Sequence, residues 1–301
     1  MLLVNNPEPA QLLSQAQGRV PANESSCALS LACLDLVDSG EPRHGFPPLL
    51  GICGAQGSGK STLCELIALA MAEWGTRPVV VLSLDDFYRT RAERQALAAT
   101  IHPLCATRGV PGTHDVALLD ECLSRLLGAG DDEIIAIPRF DKLADDRLPR
   151  EKWAEFRGRP GFIVIEGWCI GITADRLPPW QGPLNALERE CDPQGEWLAW
   201  SREELKRGYA TLWKMLDGLV GIRQPDMESV IASRIRQEEG LRAARGPGAK
   251  AMSPANVRRF VEHYERYTLA LASALPAIAD LLVERDADFN YHIQTAQGHI
   301  R

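Results

Sequence analysis

The chain has 301 residues, 45% hydrophobic and 24% charged, a composition that excludes disorder and leaves room for one large α/β domain or two small ones. With 33 basic and 40 acidic residues the formal net charge is −7, which argues against a nucleic-acid surface spread over the molecule, so any anion site must be local. The eight cysteines (27, 33, 53, 64, 105, 122, 169 and 191) form no C-x-x-C pair and read as reduced thiols. The first basic residue is Arg19 and no apolar run approaches the ~20 residues of a membrane span. The expectation is a cytoplasmic protein with no secretion signal and no membrane partner. Its oligomeric state is not legible.

In chain order, residues 1–46 carry two weakly amphipathic stretches, Gln11–Gln17 and Ser26–Val37, before the breaker-rich segments Ser39-Gly40-Glu41-Pro42 and Gly45-Phe46-Pro47-Pro48. They are expected to form a helical extension ahead of a domain over 47–301. Leu49–Cys53 reads as a strand, and Leu63, Leu66, Ile67, Ala70, Met71 and Trp74 recur at helical spacing until Gly75. Pro78–Leu84 is a continuous apolar run of the kind found in buried parallel strands, closing a first βαβ unit. A helix fits Val116–Leu127 with Thr113 or Asp115 as cap, a short strand fits Glu133–Ile137, and Phe162–Gly167 is a buried strand ending in a carboxylate. Ser201-Arg202-Glu203-Glu204 reads as a capping box opening a helix to about Leu216. Leu219–Ile222 follows as a strand, then helices over Asp226–Ala244 and Pro254–Ala274, and a last strand over Ala279–Val283. The fold class expected is α/β: a mostly parallel sheet with helices on both faces.

Between the first strand and its helix lies Gly54-Ala55-Gln56-Gly57-Ser58-Gly59-Lys60-Ser61, a match to the phosphate-binding pattern G-x-x-x-x-G-K-[ST] in the strand–loop–helix setting the motif requires. Its glycines let consecutive N–H groups converge on an anion at a helix N-terminus, as a triphosphate needs. Lys60 is expected at the β- and γ-phosphates, the Ser61 hydroxyl on Mg²⁺ and Thr62 near the α-phosphate, with Gly54 to Thr62 as the ATP-binding set.

Ligands of open parallel sheets collect beyond the carboxyl ends of the strands. Two further motifs end there: Ser83-Leu84-Asp85-Asp86-Phe87-Tyr88-Arg89 and Glu166-Gly167-Trp168. Glu166 is expected to serve Mg²⁺, which demands hard oxygen ligands. Asp85 is expected to take the proton of an attacking hydroxyl, with helix capping by Asp85 or Asp86 as the alternative. Arginine pairs a carboxylate bidentately, so the polar stretches Arg108–Asp115 and Arg139–Arg147 suggest a site for a small acidic substrate. Its candidate binding residues are Arg108, His114, Asp115, Arg139, Lys142 and Arg147. Surface salt bridging, or a loop hydrogen bond for His114, is the plainer alternative. Asp145-Asp146 lacks further metal-ligand spacing.

Positions 234–259 hold seven basic residues (Arg234, Arg236, Arg242, Arg245, Lys250, Arg258 and Arg259) against Glu238 and Glu239. The segment over about 234–253, with its Gly246-Pro247-Gly248 tip, has the build of a helical lid swinging over phosphates.

Together the phosphate loop, Ser83–Tyr88, Glu166 and this basic segment resemble the phosphoribulokinase, uridine kinase and pantothenate kinase group of P-loop kinases. Finer signals resemble D-glycerate 3-kinases of the plant and fungal type: Arg108–Asp115, Pro138–Lys142, Glu166–Gly171, Leu184–Glu188 and Tyr264-Glu265-Arg266. The resemblance spans roughly residues 46–285. It implies a P-loop NTPase-type sheet and transfer of the γ-phosphate of ATP to D-glycerate, giving 3-phosphoglycerate. It also implies Asp85 as base, Glu166 as Mg²⁺ acid and Arg234 as a catalytic lid arginine alongside Lys60. Two alternatives stay open: another kinase of the group, acting on a nucleoside or pantothenate, and an ATP-binding regulatory protein.

Overall fold

In the computed structural model, residues 2–4, 7–40, 42–43, 45–245 and 252–294 are described, and the side chains of 241, 244 and 245 are not. The central sheet runs in the order β10-β9-β8-β1-β7-β2. β1 (Leu49–Gly54), β2 (Val79–Ser83), β7 (Phe162–Gly167), β8 (Gly218–Arg223) and β9 (Leu281–Arg285) are parallel, and β10 (Tyr291–Gln294) closes one edge antiparallel. The helices α3 (Lys60–Trp74) and α5 (Val116–Leu127) cover opposite faces. This is the α/β parallel sheet of P-loop proteins.

Side chains of a strand alternate between faces, and β1 shows the consequence. Leu50 and Ile52 join one core with α3, while Leu49 and Cys53 join the other with α5 and α11 (Glu265–Ile278). All six residues of β1 and of β7 are buried, as their unbroken apolar runs require.

The N-terminal segment is not an appendage. Helices α1 (Pro9–Ala16) and α2 (Glu24–Asp38) pack beside α3, where Leu12, Leu29, Cys33 and Leu34 share a core with Leu50, Ile52, Phe162 and Val164. The expected boundary at residue 46 therefore separates no packing units. The Val4 N–H also donates to the Trp74 carbonyl at 2.8 Å, tying the start of the chain to the end of α3.

Several local expectations are corrected. The helix assigned to Ser201 starts earlier, as α7 (Glu196–Glu204), because Gly195 adopts a left-handed φ of 77° that turns the chain into it. Ser201 lies inside, its hydroxyl donating to the Pro111 carbonyl at 2.7 Å. A π turn over Leu205–Tyr209 separates α7 from α8 (Ala210–Lys214). The expected helix over 254–274 is two, α10 (Pro254–Glu262) and α11, broken at His263-Tyr264. Strand Ile134–Ile137 (β3) leaves the main sheet to pair with Ala154–Arg157 (β6). Helices α4 (Arg91–Thr100) and α6 (Ala186–Cys191), the small hairpin of β4 (Phe140–Asp141) and β5 (Asp146–Arg147), and β10 were not anticipated. Among the described residues no helix is long and apolar enough to cross a membrane.

Leu34 is 1% exposed in the core shared by α2 and the sheet. Leu34→Ala is expected to cost about 2–5 kcal/mol in urea unfolding, through lost burial and a cavity. A loss under about 0.5 kcal/mol would mean that the N-terminal layer does not contribute to the fold.

Candidate active site

The phosphate loop curls between β1 and α3. Gly57 and Gly59 hold φ values of 72° and 91°, a region closed to most side chains. Space forbids a Cβ as well: at Gly57 it would lie 2.6 Å from Ser233 Cβ, and at Gly59 it would collide with the Tyr291 hydroxyl. Lys60 bends back over the loop, its Nζ donating to the Gly54 carbonyl at 2.7 Å and the Ala55 carbonyl at 3.1 Å. Ser61 follows in the first helical turn. Helix α9 (Met227–Arg245) stands over the loop, Ser233 sealing Gly57, and Val230 packs in a small core with Val257 and Val261 of α10 and with Ala55.

One cavity gathers the chemistry. Lys60, Ser61, Asp85, Arg108, Lys142, Glu166 and Arg234 line it together with Gln56, Gly57, Tyr88, Gly167, Trp168, Gln237, Phe260 and Tyr264. Strand register explains the meeting: Glu166, next to last in β7, is flanked by Ile52 of β1 and Ser83 of β2. The Ser83 hydroxyl donates to Glu166 Oε1 at 2.8 Å, and Ser61 Oγ lies 3.4 Å from the same oxygen. Burial raises the Glu166 pKa against the opposing pull of Lys60. This donor set is all oxygen, and a buried carboxylate beside a hydroxyl fits a hard divalent cation.

Asp85 sits in the short turn after β2, where Lys142 from the β4–β5 hairpin donates to Oδ2 at 2.7 Å. Desolvation would raise the Asp85 pKa, but the charge and hydrogen bond of Lys142 outweigh it, with Lys60 assisting, and hold it at about 2. Arg108 pairs with Asp145, whose second oxygen takes the fully buried Arg94 at 3.0 Å. Arg234 pairs with Glu238 and donates to Gln237 at 3.0 Å.

The residues expected around a substrate divide into two groups. Arg108 and Lys142 face the cavity. Arg139 instead donates to Asp86 at 2.7 Å, and Arg147 donates to Asp115 at 2.9 Å, while Asp115 also caps α5 through the Leu118 N–H. His114 is fully buried, stacked on Tyr88 at 4.4 Å with its Nδ1 2.8 Å from the Tyr209 hydroxyl. Burial, with Arg89 adding to it, lowers its pKa to about 3 and keeps it neutral. His114, Asp115 and Arg147 therefore lie in the walls, where buried polar groups must find protein partners, while Arg139 lines an adjoining opening with Ser61, Asp85, Asp86, Lys142 and Glu166. Thr62 and the other loop residues Gly54, Ala55, Ser58 and Gly59 do not line this cavity.

Of the basic residues over 234–259, Arg234 is the one lining the cavity among those described. Arg236 lies over the Phe289 ring, Arg242 reaches toward the Met252 carbonyl, and Arg258 and Arg259 pair with Glu228 and Glu190. The Arg245 side chain and Lys250 lie outside the described residues, as does the tip at 246–251. Sequence reasoning missed Ser83, which holds Glu166, and the rings of Tyr88, Trp168, Phe260 and Tyr264. Ser83, Trp168, Tyr88 and Tyr264 stood in motifs already singled out. Their register against Arg108, whose carbonyl accepts from the Tyr264 hydroxyl at 3.0 Å, needed the fold.

Fold and site define a P-loop kinase acting on a small molecule. The chain belongs to the kinase family of the uncharacterized kinase mug58 of Schizosaccharomyces pombe, to which it is 33% identical over 228 residues, 73% of this chain and 79% of that one. The probable ATP-dependent kinase TDA10 of Saccharomyces cerevisiae is 27% identical over 278 residues, covering 84% and 89% of the two chains. The D-glycerate 3-kinase of Cryptococcus neoformans shares the fold with a TM-score of 0.72 at 24% identity, over 89% of this chain and 97% of that one. No protein-family model matches the chain. The protein is an ATP-dependent phosphotransferase.

The Lys142–Asp85 contact sets a pH test. Asp85 is ionised above its lowered pKa, so removing Lys142, the main counterweight to desolvation, raises that pKa. Lys142→Met is expected to move the acid limb of kcat/KM to higher pH by more than about one unit. Superimposable acid limbs would separate Asp85 from turnover.

Proposed function

We propose that the acceptor is D-glycerate and the product 3-phosphoglycerate. The observation that carries this reading is that Asp85, paired with Lys142, shares one cavity with Arg108 and Lys60. A hydroxy acid matches it: a carboxylate for the cations, a primary hydroxyl for the carboxylate base. The shared fold with the Cryptococcus D-glycerate 3-kinase supports it.

In this reading the acceptor carboxylate takes Arg108 and Lys142 from their internal partners, which frees Asp85 for the hydroxyl. The hydroxyl oxygen forms a bond to the γ-phosphorus as its proton passes to Asp85. The bond from that phosphorus to the β,γ-bridging oxygen breaks, and ADP leaves. Lys60 holds the β- and γ-phosphates, and Arg234 meets charge on the moving phosphoryl group. Ser61 and Glu166 would hold Mg²⁺, which when bound neutralises phosphate charge. His114, Asp115, Arg139 and Arg147 position Tyr88, α5 and the hairpin. The eight free cysteines support a reducing compartment such as the cytoplasm.

Four aromatic rings in the cavity, more than its loops led one to expect, keep a nucleoside in the comparison. Some of this ring surface is taken up by the protein itself: Tyr88 stacks on His114, and Trp168 meets Tyr264 edge-on at 4.9 Å.

An ADP-release screen over hydroxy acids, glycerol, nucleosides and pantothenate tests the assignment. D-glycerate is expected to exceed uncharged glycerol in kcat/KM by roughly tenfold to 150-fold, the value of a charge-assisted hydrogen bond. Faster turnover of a nucleoside or pantothenate would overturn the substrate. Asp85→Asn is expected to cut turnover by about two to four orders of magnitude with ATP affinity little changed. Arg108→Lys, which keeps charge but loses the fork, should raise the KM for glycerate alone.

A further inference from the structure

We propose that Tyr291 is a positioning residue for ATP: its hydroxyl backs the phosphate loop at Ser58-Gly59, and the start of the N-terminal helix α2 holds it there. The proposal rests on the reading that this loop carries the phosphates of ATP.

The loop meets the β9–β10 hairpin at two places. Tyr291, in β10, is 8% exposed, and its hydroxyl donates to the Ser58 carbonyl at 3.3 Å from the space that a Cβ on Gly59 would need. Burial raises its pKa against the pull of Arg285, so at neutral pH the phenol keeps the proton it donates. Opposite it in the ladder stands Arg285 of β9, which is 2% exposed and donates to the Ser233 hydroxyl at 2.8 Å. Ser233 is the residue that closes on Gly57. One hairpin therefore supports both left-handed glycines, Gly59 directly and Gly57 through Ser233.

Such support matters because of what glycine leaves undetermined. With no Cβ at Gly59, the peptide between Ser58 and Gly59 can turn at little steric cost. The C=O and N–H of a trans peptide point to opposite sides, so fixing the Ser58 carbonyl on Tyr291 also fixes the Gly59 N–H, on the side away from the tyrosine. A donor already aimed need not be ordered when a phosphate arrives, and that difference appears as affinity.

The hairpin is held in turn from α2. Asn23 caps that helix by accepting the Ser26 N–H, and its Nδ2 donates to the Phe289 carbonyl at 3.1 Å and to Asn290 Oδ1 at 3.3 Å, in the turn that leads into β10. The Tyr291 N–H donates to Ser25 Oγ at 3.0 Å. The N-terminal layer thus reaches the phosphate loop through one strand, a use beyond its packing against α3.

The test is calorimetric titration of the full chain with the Mg²⁺ complex of a non-hydrolysable ATP analogue, with no acceptor present. Tyr291→Phe removes the hydroxyl and keeps the ring; Kd is expected to rise by about threefold to tenfold, the worth of one neutral hydrogen bond, with the thermal unfolding midpoint within a few degrees of wild type. Ser25→Ala should raise Kd in the wild-type background and leave it unchanged in the Tyr291→Phe background, a dependence that general loosening of the fold would not produce. Lys60→Ala, titrated alongside, separates the proposal from the reading it rests on. An unchanged Kd in Tyr291→Phe where Lys60→Ala weakens binding would overturn the role of Tyr291 and leave the loop reading standing. Equal weakening by Ser25→Ala in both backgrounds would overturn the role of α2.

Discussion

The contact on which the rest depends is Lys60 folding back onto the Gly54 and Ala55 carbonyls. It requires a loop that curls two carbonyls onto one ammonium group, which Gly57 and Gly59 allow by their left-handed backbone. The loop in turn requires a fully buried β1 to start from and α3 to run into, and α3 is held by apolar contact with the sheet and with α1 and α2. Sequence patterning, two cores and the N-terminal helices thus converge on the placement of one ammonium group. A helix N-terminus and a lysine at the same point make the loop an anion site before any ligand arrives.

The acceptor end is built differently. Strand ends carry Glu166 and lead into Asp85, but Lys142, the cation that meets Asp85, comes from the β4–β5 hairpin, which ion pairs secure. Arg139 meets Asp86, Lys142 meets Asp85, Asp145 meets Arg94 and Arg108, and Arg147 meets Asp115. Arg94, wholly buried, also donates to the Arg89, Ala106 and Asp145 carbonyls and so joins three loops at one guanidinium. Partly buried pairs of this kind fix geometry more than they add stability. On the proposed reading their second use is exchange: the acceptor and the phosphates replace internal carboxylates as partners of the cations.

Local signals explain what could be read in advance. The phosphate loop, the apolar runs of β1, β2 and β7 and the carboxylate closing β7 each follow from a few neighbouring residues. Elements held by distant partners were not legible. The capping-box reading at Ser201 failed because its hydroxyl serves Pro111 and Tyr267 across the fold instead of the start of a helix. α10 and α11 look continuous by periodicity, yet Tyr264 turns out to meet Arg108. The same reason divided the candidate substrate residues: composition cannot tell an arginine that faces a cavity, such as Arg108, from one, such as Arg147, that faces an aspartate in the wall. The family resemblance, by contrast, rested on motifs that keep their neighbours.

The central claim is that phosphoryl transfer is organised around Lys60. Because the hydrogen bonds of its side chain run to the carbonyls of its own loop, Lys60→Ala should keep the thermal unfolding midpoint within a few degrees of wild type. Initial rates of ADP formation at saturating ATP and D-glycerate then test the claim directly. A folded variant with turnover reduced by about 10²-fold or more is the predicted result. A folded variant with wild-type turnover would contradict the account.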